Sequence, residues 1–426
     1  MFPSKTIATA AACLAGLALV ASGADAKAID RGSSPGAVQL DIFGASADSS
    51  GAYSNWMATY PDSTKIQHLN IPGTRDSATW LVRNGTTRSI AAPEDTVTAT
   101  PKFNISSCRM QDRGIADSLA AGVRFFDLRV NTDPDGHGKL VLYKGDLVLS
   151  EDTVSFEAAL RALYGWLDAH PREAVLLSVA LELVGNRDRG ATARRDAQRE
   201  LHRVLTSDPA TRYLYRGDGG LPPNLGAARG KIILLRRFAP LDPLLGAGHD
   251  DQLPGLRLPP SAWPVNSPGF TIKQQQHNGG DSNVVAVYVE DLHQPAALLP
   301  ASGGFEGLGF SGADADGNNY RGDPRVALAV LPVKFNVTAE HLLKAAGPAA
   351  PDSLFITFAG AMDDAAHPPI WPQVMALGNG SEYTPKGGVN HQLVPFLKGL
   401  AGKRLGVVVL DYYHQPDNLV QAILGK

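Results

Sequence analysis

The sequence predicts an α/β protein, a (β/α)8 TIM barrel with long loop insertions. Three observations lead there. Eight short runs rich in apolar and β-branched residues recur along the chain. Several are continuously apolar, as strands buried on both faces of a parallel sheet must be. Helical or loop segments separate them, which is the alternation of β/α units, and eight such units close a barrel. A hydrophobic fraction of 44% suffices for a large core. Because barrels run longer than ordinary domains, residues 27–426 are expected to form one domain.

Before the barrel, MFPSKTIATAAACLAGLALVASGADAKA places Lys5 ahead of an apolar run from Ile7 to Val20, then the small-residue pattern Ala24-Asp25-Ala26. This is the build of a secretory signal over residues 1–26, cleaved before Lys27. A membrane anchor would need roughly 20 apolar residues with a retained flank. No later segment is expected to span a bilayer, so a secreted, extracellular, soluble protein is expected. Cys13 leaves with the signal, and Cys108 remains alone and is expected to be buried. Sequons beginning at Asn84, Asn104, Asn336 and Asn379 would mark glycan-bearing surface loops if the chain is eukaryotic.

The expected strands, in order, are "IQHLNI" (66–71), "VRFFDLRV" (123–130), "LVLY" (140–143), "AVLLSVAL" (174–181), "KIILLRRF" (231–238), "VVAVYVED" (284–291), "LFITFAG" (354–360) and "LGVVVLDYY" (405–413). Helical spacing is clearest over 152–170, where Phe156, Leu160, Leu163 and Leu167 share a face and Asp152 is placed to cap. The arginine-rich stretch 192–205 reads as a helix with a solvated face, and the C-terminal "QPDNLVQAILGK" as the element that closes the barrel. Gly/Pro/Ser-rich stretches at 83–108, 239–282, 295–325 and 361–388 read as excursions between units.

A net charge of −3 argues against nucleic-acid binding and against non-specific attraction to anionic membranes. Any anion recognition must be local. In barrels functional groups gather at the C-terminal ends of the strands. Found there are Arg75 and Asp76, Asp127 and Arg129, Lys144, Glu182, Arg236 and Arg237, Asp291 and Asp411.

The segments "IPGTRDS", "GVRFFDLRV", "LVLYKG", "HPREAVLLSVALE", "ARGKIILLRRF" and "VVVLDYY" resemble, in sequence and order, the bacterial-type phosphatidylinositol-specific phospholipase C family. The resemblance runs from about Trp56 to the C-terminus. It implies the distorted β/α barrel of that family's X domain and the chemistry of a metal-free phosphoric diester hydrolase. In the family, a histidine in P-G-T-H-D-S takes the proton of the inositol 2-hydroxyl, which attacks phosphorus and gives a cyclic phosphate. A second histidine protonates the leaving diacylglycerol oxygen, an arginine steadies the phosphate charge, and aspartates orient these groups.

Carried over, Asp76, Asp127, Arg129 and Asp411 match the supporting positions, and Arg236 or Arg237 and Asp291 match substrate-contacting ones. The base position is Arg75 and the acid position is Lys144. Arginine, with a pKa above about 12, cannot serve as a base near neutral pH, and loss of one acid/base group costs roughly 10²–10⁴ in rate. Lys144, crowded by Arg75 and Arg129, could still donate a proton. Among the histidines His68, His137, His293 and His414, the last two lie where they could reach the rim.

The expected function is therefore a secreted, catalytically impaired phospholipase C homologue. Its concentrated positive site of Arg75, Lys144 and Arg129 would bind a phosphoester or inositol-phospholipid head group, with transient membrane-surface contact. The alternatives are an active phosphodiesterase with a rearranged acid/base set and a barrel kept for protein interaction. No cofactor, metal or nucleic acid is expected, and the protein is expected to be a monomer.

Overall fold

The computed structural model describes residues 51–426 apart from 52, 83–87, 90–104, 135, 150–154, 183–189, 218–219, 279–280, 300–325 and 365–368. The expected signal segment, the sequons at Asn84 and Asn104, and Asp152 lie outside the described residues.

The strands are β1 (Ile71–Thr74), β2 (Arg88–Ser89), β3 (Phe125–Thr132), β4 (Leu140–Lys144), β5 (Leu147–Val148), β6 (Val175–Leu181), β7 (Ile232–Arg237), β8 (Leu256–Arg257), β9 (Ser267–Asn278), β10 (Asp281–Asp291), β11 (Leu354–Phe358) and β12 (Val407–Leu410). Eight of them run parallel in the cyclic order β1, β3, β6, β7, β8, then β10, β11, β12 and back to β1. This is a distorted α/β barrel with a seam between β8 and β10, where β9 lies antiparallel along β10. The barrel strands carry near-continuous runs of buried residues, such as Val175–Val179 and Val407–Leu410.

The eight staves are not the eight runs read from the sequence. "LVLY" becomes β4, which pairs antiparallel with β3 through Val130↔Leu142 and stands outside the barrel. The physical reason is the link "DPDGHGK": Asp133 accepts from the amides of His137 and Lys139, closing a turn far too short for a parallel crossover. The missing stave is β8, two residues inside the stretch taken as an excursion. The run at 66–71 also shifts. Ile66–His68 form a 3-10 turn and the strand starts at Ile71, so His68 pairs with Asp352 at the end of the barrel where the chain enters β1.

The helix over Phe156–Ala169 buries Phe156, Leu160, Leu163 and Leu167, with Ser155 accepting from Ala158 N at its start. The arginine-rich helix Gly190–Thr206 pairs Arg199 with Asp196 and Arg203 with Glu157 and Glu200, all on an exposed face. Cys108 is buried.

Helix Val326–Ala346 was not anticipated. By length and composition alone it could cross a membrane, with 21 residues and a mean hydropathy of 1.3, which corrects the expectation that no later segment has that character. It packs on the barrel: Lys334 pairs with Glu290 at 2.7 Å and both are fully buried. Its Asn336 sequon sits mid-helix, not in a loop, and Thr338 is buried beside Glu290.

The same helix yields a pH test. His341 is buried against Thr357, and burial, with Lys344 and Lys334 nearby, lowers its pKa from 6.5 to about 3. Between those values the unfolded chain binds this proton and the folded chain does not, so stability falls as pH drops below 6.5. At about pH 5 this group should have removed roughly 2 kcal/mol relative to neutral pH. Urea unfolding of His341→Phe should show a correspondingly shallower loss; an identical pH slope in both proteins would contradict the assignment.

Candidate active site

The turn after β1 is built around Asp127. Ser77 N donates to Asp127 O, and Asp127 N donates to Ser77 Oγ, both at 2.8 Å, so the Thr74–Ser77 corner is stitched to β3. Gln111 secures the other side, its amide donating to Arg75 O and Leu410 O. Asp76 and Tyr412, which follow Arg75 and Asp411, both have left-handed backbones, at φ 43° and 46°. That conformation is tolerated by aspartate and unusual for tyrosine, and such strain gathers where surrounding structure holds functional side chains.

Arg75 and Asp411 form a buried bidentate pair, Nε to Oδ1 at 2.9 Å and Nη2 to Oδ2 at 2.5 Å. Burial opposes the charge on Arg75, but Asp411, with Asp76 and Asp291, more than offsets it and raises the pKa. Arg75 is a fixed cation. Gly360 leaves the space for Asp411, since a Cβ there would lie 2.5 Å from the carboxylate.

Arg129 gathers three carboxylates: Asp76 Oδ1 at 2.5 Å, Glu182 Oε1 at 2.8 Å and Asp127 Oδ2 at 3.7 Å. Although burial opposes its charge, these carboxylates hold its pKa well above the ordinary value. Burial would likewise raise Asp76, but Arg129, Lys144, Arg75 and Arg237 hold it below the usual carboxylate range. Arg237 contacts Asp127 at 3.3 Å and Asp291 at 3.8 Å, its guanidinium 3.9 Å above the Trp263 ring. Trp263 Nε1 donates to Asp291 at 2.8 Å, and His293 Nδ1 lies 3.8 Å from the same carboxyl group. Lys144, at the end of β4, has no ion pair among the described residues.

The structure thus gathers Arg75, Asp76, Asp127, Arg129, Glu182, Arg237, Asp291 and Asp411 at one mouth of the barrel, with Lys144 acting on Asp76. It does not bring Arg236 there. Side chains alternate along β7, so Arg237 faces Asp127 while Arg236 turns the other way and binds Asp250. Nor is the mouth a concentrated positive site. Arg75, Arg129, Arg237 and Lys144 meet five carboxylates, and each arginine is already paired.

Among the described histidines, His293 lies beside this cluster. His414 faces Asp112, and His137 faces Asp133 in the β3–β4 turn. Three contributors were missed. Ser178 donates to Asp127 Oδ1 at 2.9 Å, and its signal was a lone hydroxyl inside the apolar run "AVLLSVAL". Trp263 and Gln111 lie in loops with no local signal.

With this geometry in hand, solved structures supply the comparison. Phosphatidylinositol-specific phospholipase C from Staphylococcus aureus, as an F249X mutant, aligns with 88% of this chain and 98% of its own at a TM-score of 0.57 and 18% identity. The fold is that of the bacterial phosphatidylinositol-specific phospholipases C. The Listeria monocytogenes phospholipase C aligns with 87% of this chain and 97% of its own at a TM-score of 0.50 and 15% identity. In sequence, 184 residues are 23% identical to the 1-phosphatidylinositol phosphodiesterase of Staphylococcus aureus, covering 43% of this chain and 51% of that enzyme. A PI-PLC X domain-containing protein 3 of Danio rerio is 29% identical over 136 residues, 29% of this chain and 41% of its own. The chain is homologous to these phospholipase C proteins, and its sequence match spans about half the length of the staphylococcal relative. No family model matches the chain.

Proposed function

We propose that the protein is a secreted phospholipase C homologue that holds the phosphoester of an inositol-phosphate or related head group at the barrel mouth without ordinary turnover. The observation that carries this reading is the Arg75–Asp411 pair. The position that the resemblance assigns to the general base carries a guanidinium, and Asp411 is fully engaged in neutralising it. A base must be unprotonated part of the time at working pH, and Arg75 is not. Lys144, at the position assigned to the acid, has no carboxylate partner among the described residues and supplies a point charge for a phosphate oxygen. Arg129 and Arg237, held by carboxylates on their inner sides, orient the ester. Secretion rests on the signal-like residues 1–26, and a mature N-terminus at Lys27 would support it.

Isothermal titration with myo-inositol 1-phosphate should give saturable binding. A lost charge-assisted contact is worth about 1.5–3 kcal/mol, so Lys144→Ala should weaken binding by roughly 10-fold or more. Unchanged affinity in Lys144→Ala would contradict this reading.

A second reading, an active phosphodiesterase, rests on His293. With Nδ1 turned to Asp291 beside Arg237, its Nε2 would be left to exchange protons. Turnover by the wild type that disappears in His293→Ala would favour it.

A further inference from the structure

We propose that the seam of the barrel carries a second anion site, distinct from the mouth, that takes the phosphate monoester of a small soluble polyol. β8 is only two residues long, and among the described residues it pairs with β7 alone. Across the seam a backbone-to-side-chain hydrogen bond, Arg257 N to Gln274 Oε1 at 2.9 Å, joins it to β9. Among the described residues, the link from β8 to β10 carries the 3-10 turn Pro260–Ala262 and β9, with no α-helix. The preceding link, from β7 to β8, likewise carries only the 3-10 turn Pro243–Leu245, and together the two leave a cleft of about 800 Å³. That lies within the roughly 300–1,000 Å³ of small-molecule sites.

The cleft has the charge that the mouth lacks. Arg216, Arg236, Arg257 and Lys273 line it. The carboxylates facing them are Asp250, which pairs with Arg236 and Arg257, and Asp251, which pairs with Arg257 at 2.7 Å. Arg216 spends its guanidinium on two carbonyls, Gln252 O and Leu205 O, both at 3.2 Å. Among the described residues neither Arg216 nor Lys273 has an ion pair. Among the described residues, four cations therefore face two carboxylates.

Arg236 is the buried cation of the four. It is 3% exposed, and its two terminal nitrogens are used on Asp250 and on the carbonyls of Asp250 and Leu253. Its Nε–H is buried without an acceptor among the described residues. A buried donor left unmade is costly, and Arg236 is one of the side chains that line the cleft. Gln252, Gln274 and Gln275 line the same cleft and supply amides for hydroxyl groups. Because Arg236 and Arg237 lie on opposite faces of β7, the strand itself separates the cleft from the Asp127 cluster.

The test is isothermal titration with glucose 6-phosphate. The wild type should bind saturably, with glucose giving no heat beyond dilution. Arg257→Gln combined with Lys273→Gln changes two exposed side chains, so the fold, checked by thermal melting, should persist while affinity falls at least roughly 10-fold. Lys144→Ala, at the mouth, should leave this binding unchanged, so failure here and failure of the head-group reading are separable. Absence of saturable binding, equal affinity in the seam variant, or loss in Lys144→Ala alone would overturn the proposal. Co-sedimentation with phosphatidic acid–phosphatidylcholine vesicles that the seam variant loses, without glucose 6-phosphate binding, would overturn the soluble ligand in favour of a lipid head group.

Discussion

Arg75→Ala should be less stable than the wild type by about 3–5 kcal/mol, the usual result of removing one partner from a buried ion pair. Asp411 is fully buried, and its carboxylate is neutralised through two contacts with Arg75. Truncation leaves that charge where it cannot relax. Residue 360 must be glycine to leave it room, and the backbone on either side is fixed by Gln111, which donates to Leu410 O, and by Asn390, which donates to Asp411 O. Replacing both charges with apolar groups removes the penalty, so Arg75→Met with Asp411→Leu should recover most of the loss. Urea unfolding near pH 7 measures all three proteins. A loss under about 1 kcal/mol in Arg75→Ala would mean the pair is not closed in solution.

Restoring histidine at both substituted positions should create turnover. In Arg75→His, Lys144→His the imidazole at position 75 would face Asp411, which can accept from Nδ1 and fix the tautomer. With an ordinary pKa near 6.5 it would be largely unprotonated at neutral pH, as a base must be. A histidine at 144 would then offer the complementary acid. Each acid/base group is worth roughly 10²–10⁴ in rate, so release of cyclic inositol phosphate from phosphatidylinositol micelles should rise at least roughly 10²-fold over the wild type. Equal rates would show that the mouth has lost more than its proton carriers.

What could be read from the sequence follows from what is local. β3, β6, β7, β11 and β12 were legible because strands buried on both faces need continuous apolar runs, and that pattern survives without neighbours. β4 carries the same pattern for a different reason: its residues Leu140, Val141 and Leu142 are buried by a hairpin against β3. β8 was invisible because two residues make no pattern, and only their register with Leu235 and Arg236 makes them a stave. At the mouth, residue identities were legible but their partners were not. Alternation along a strand puts Arg236 and Arg237 on opposite faces, but it does not say which face turns inward. The expected positive site failed because Glu182 and Asp291 come from distant strands to meet arginines counted without them.

The most direct test of the central claim, that Arg75 is a locked cation and no longer a base, follows cyclic inositol phosphate by ³¹P NMR during incubation of purified wild-type protein with phosphatidylinositol micelles. No cyclic phosphate above the protein-free control is the predicted result. Clear wild-type turnover that Arg75→Ala abolishes, in protein shown by melting to remain folded, would contradict it.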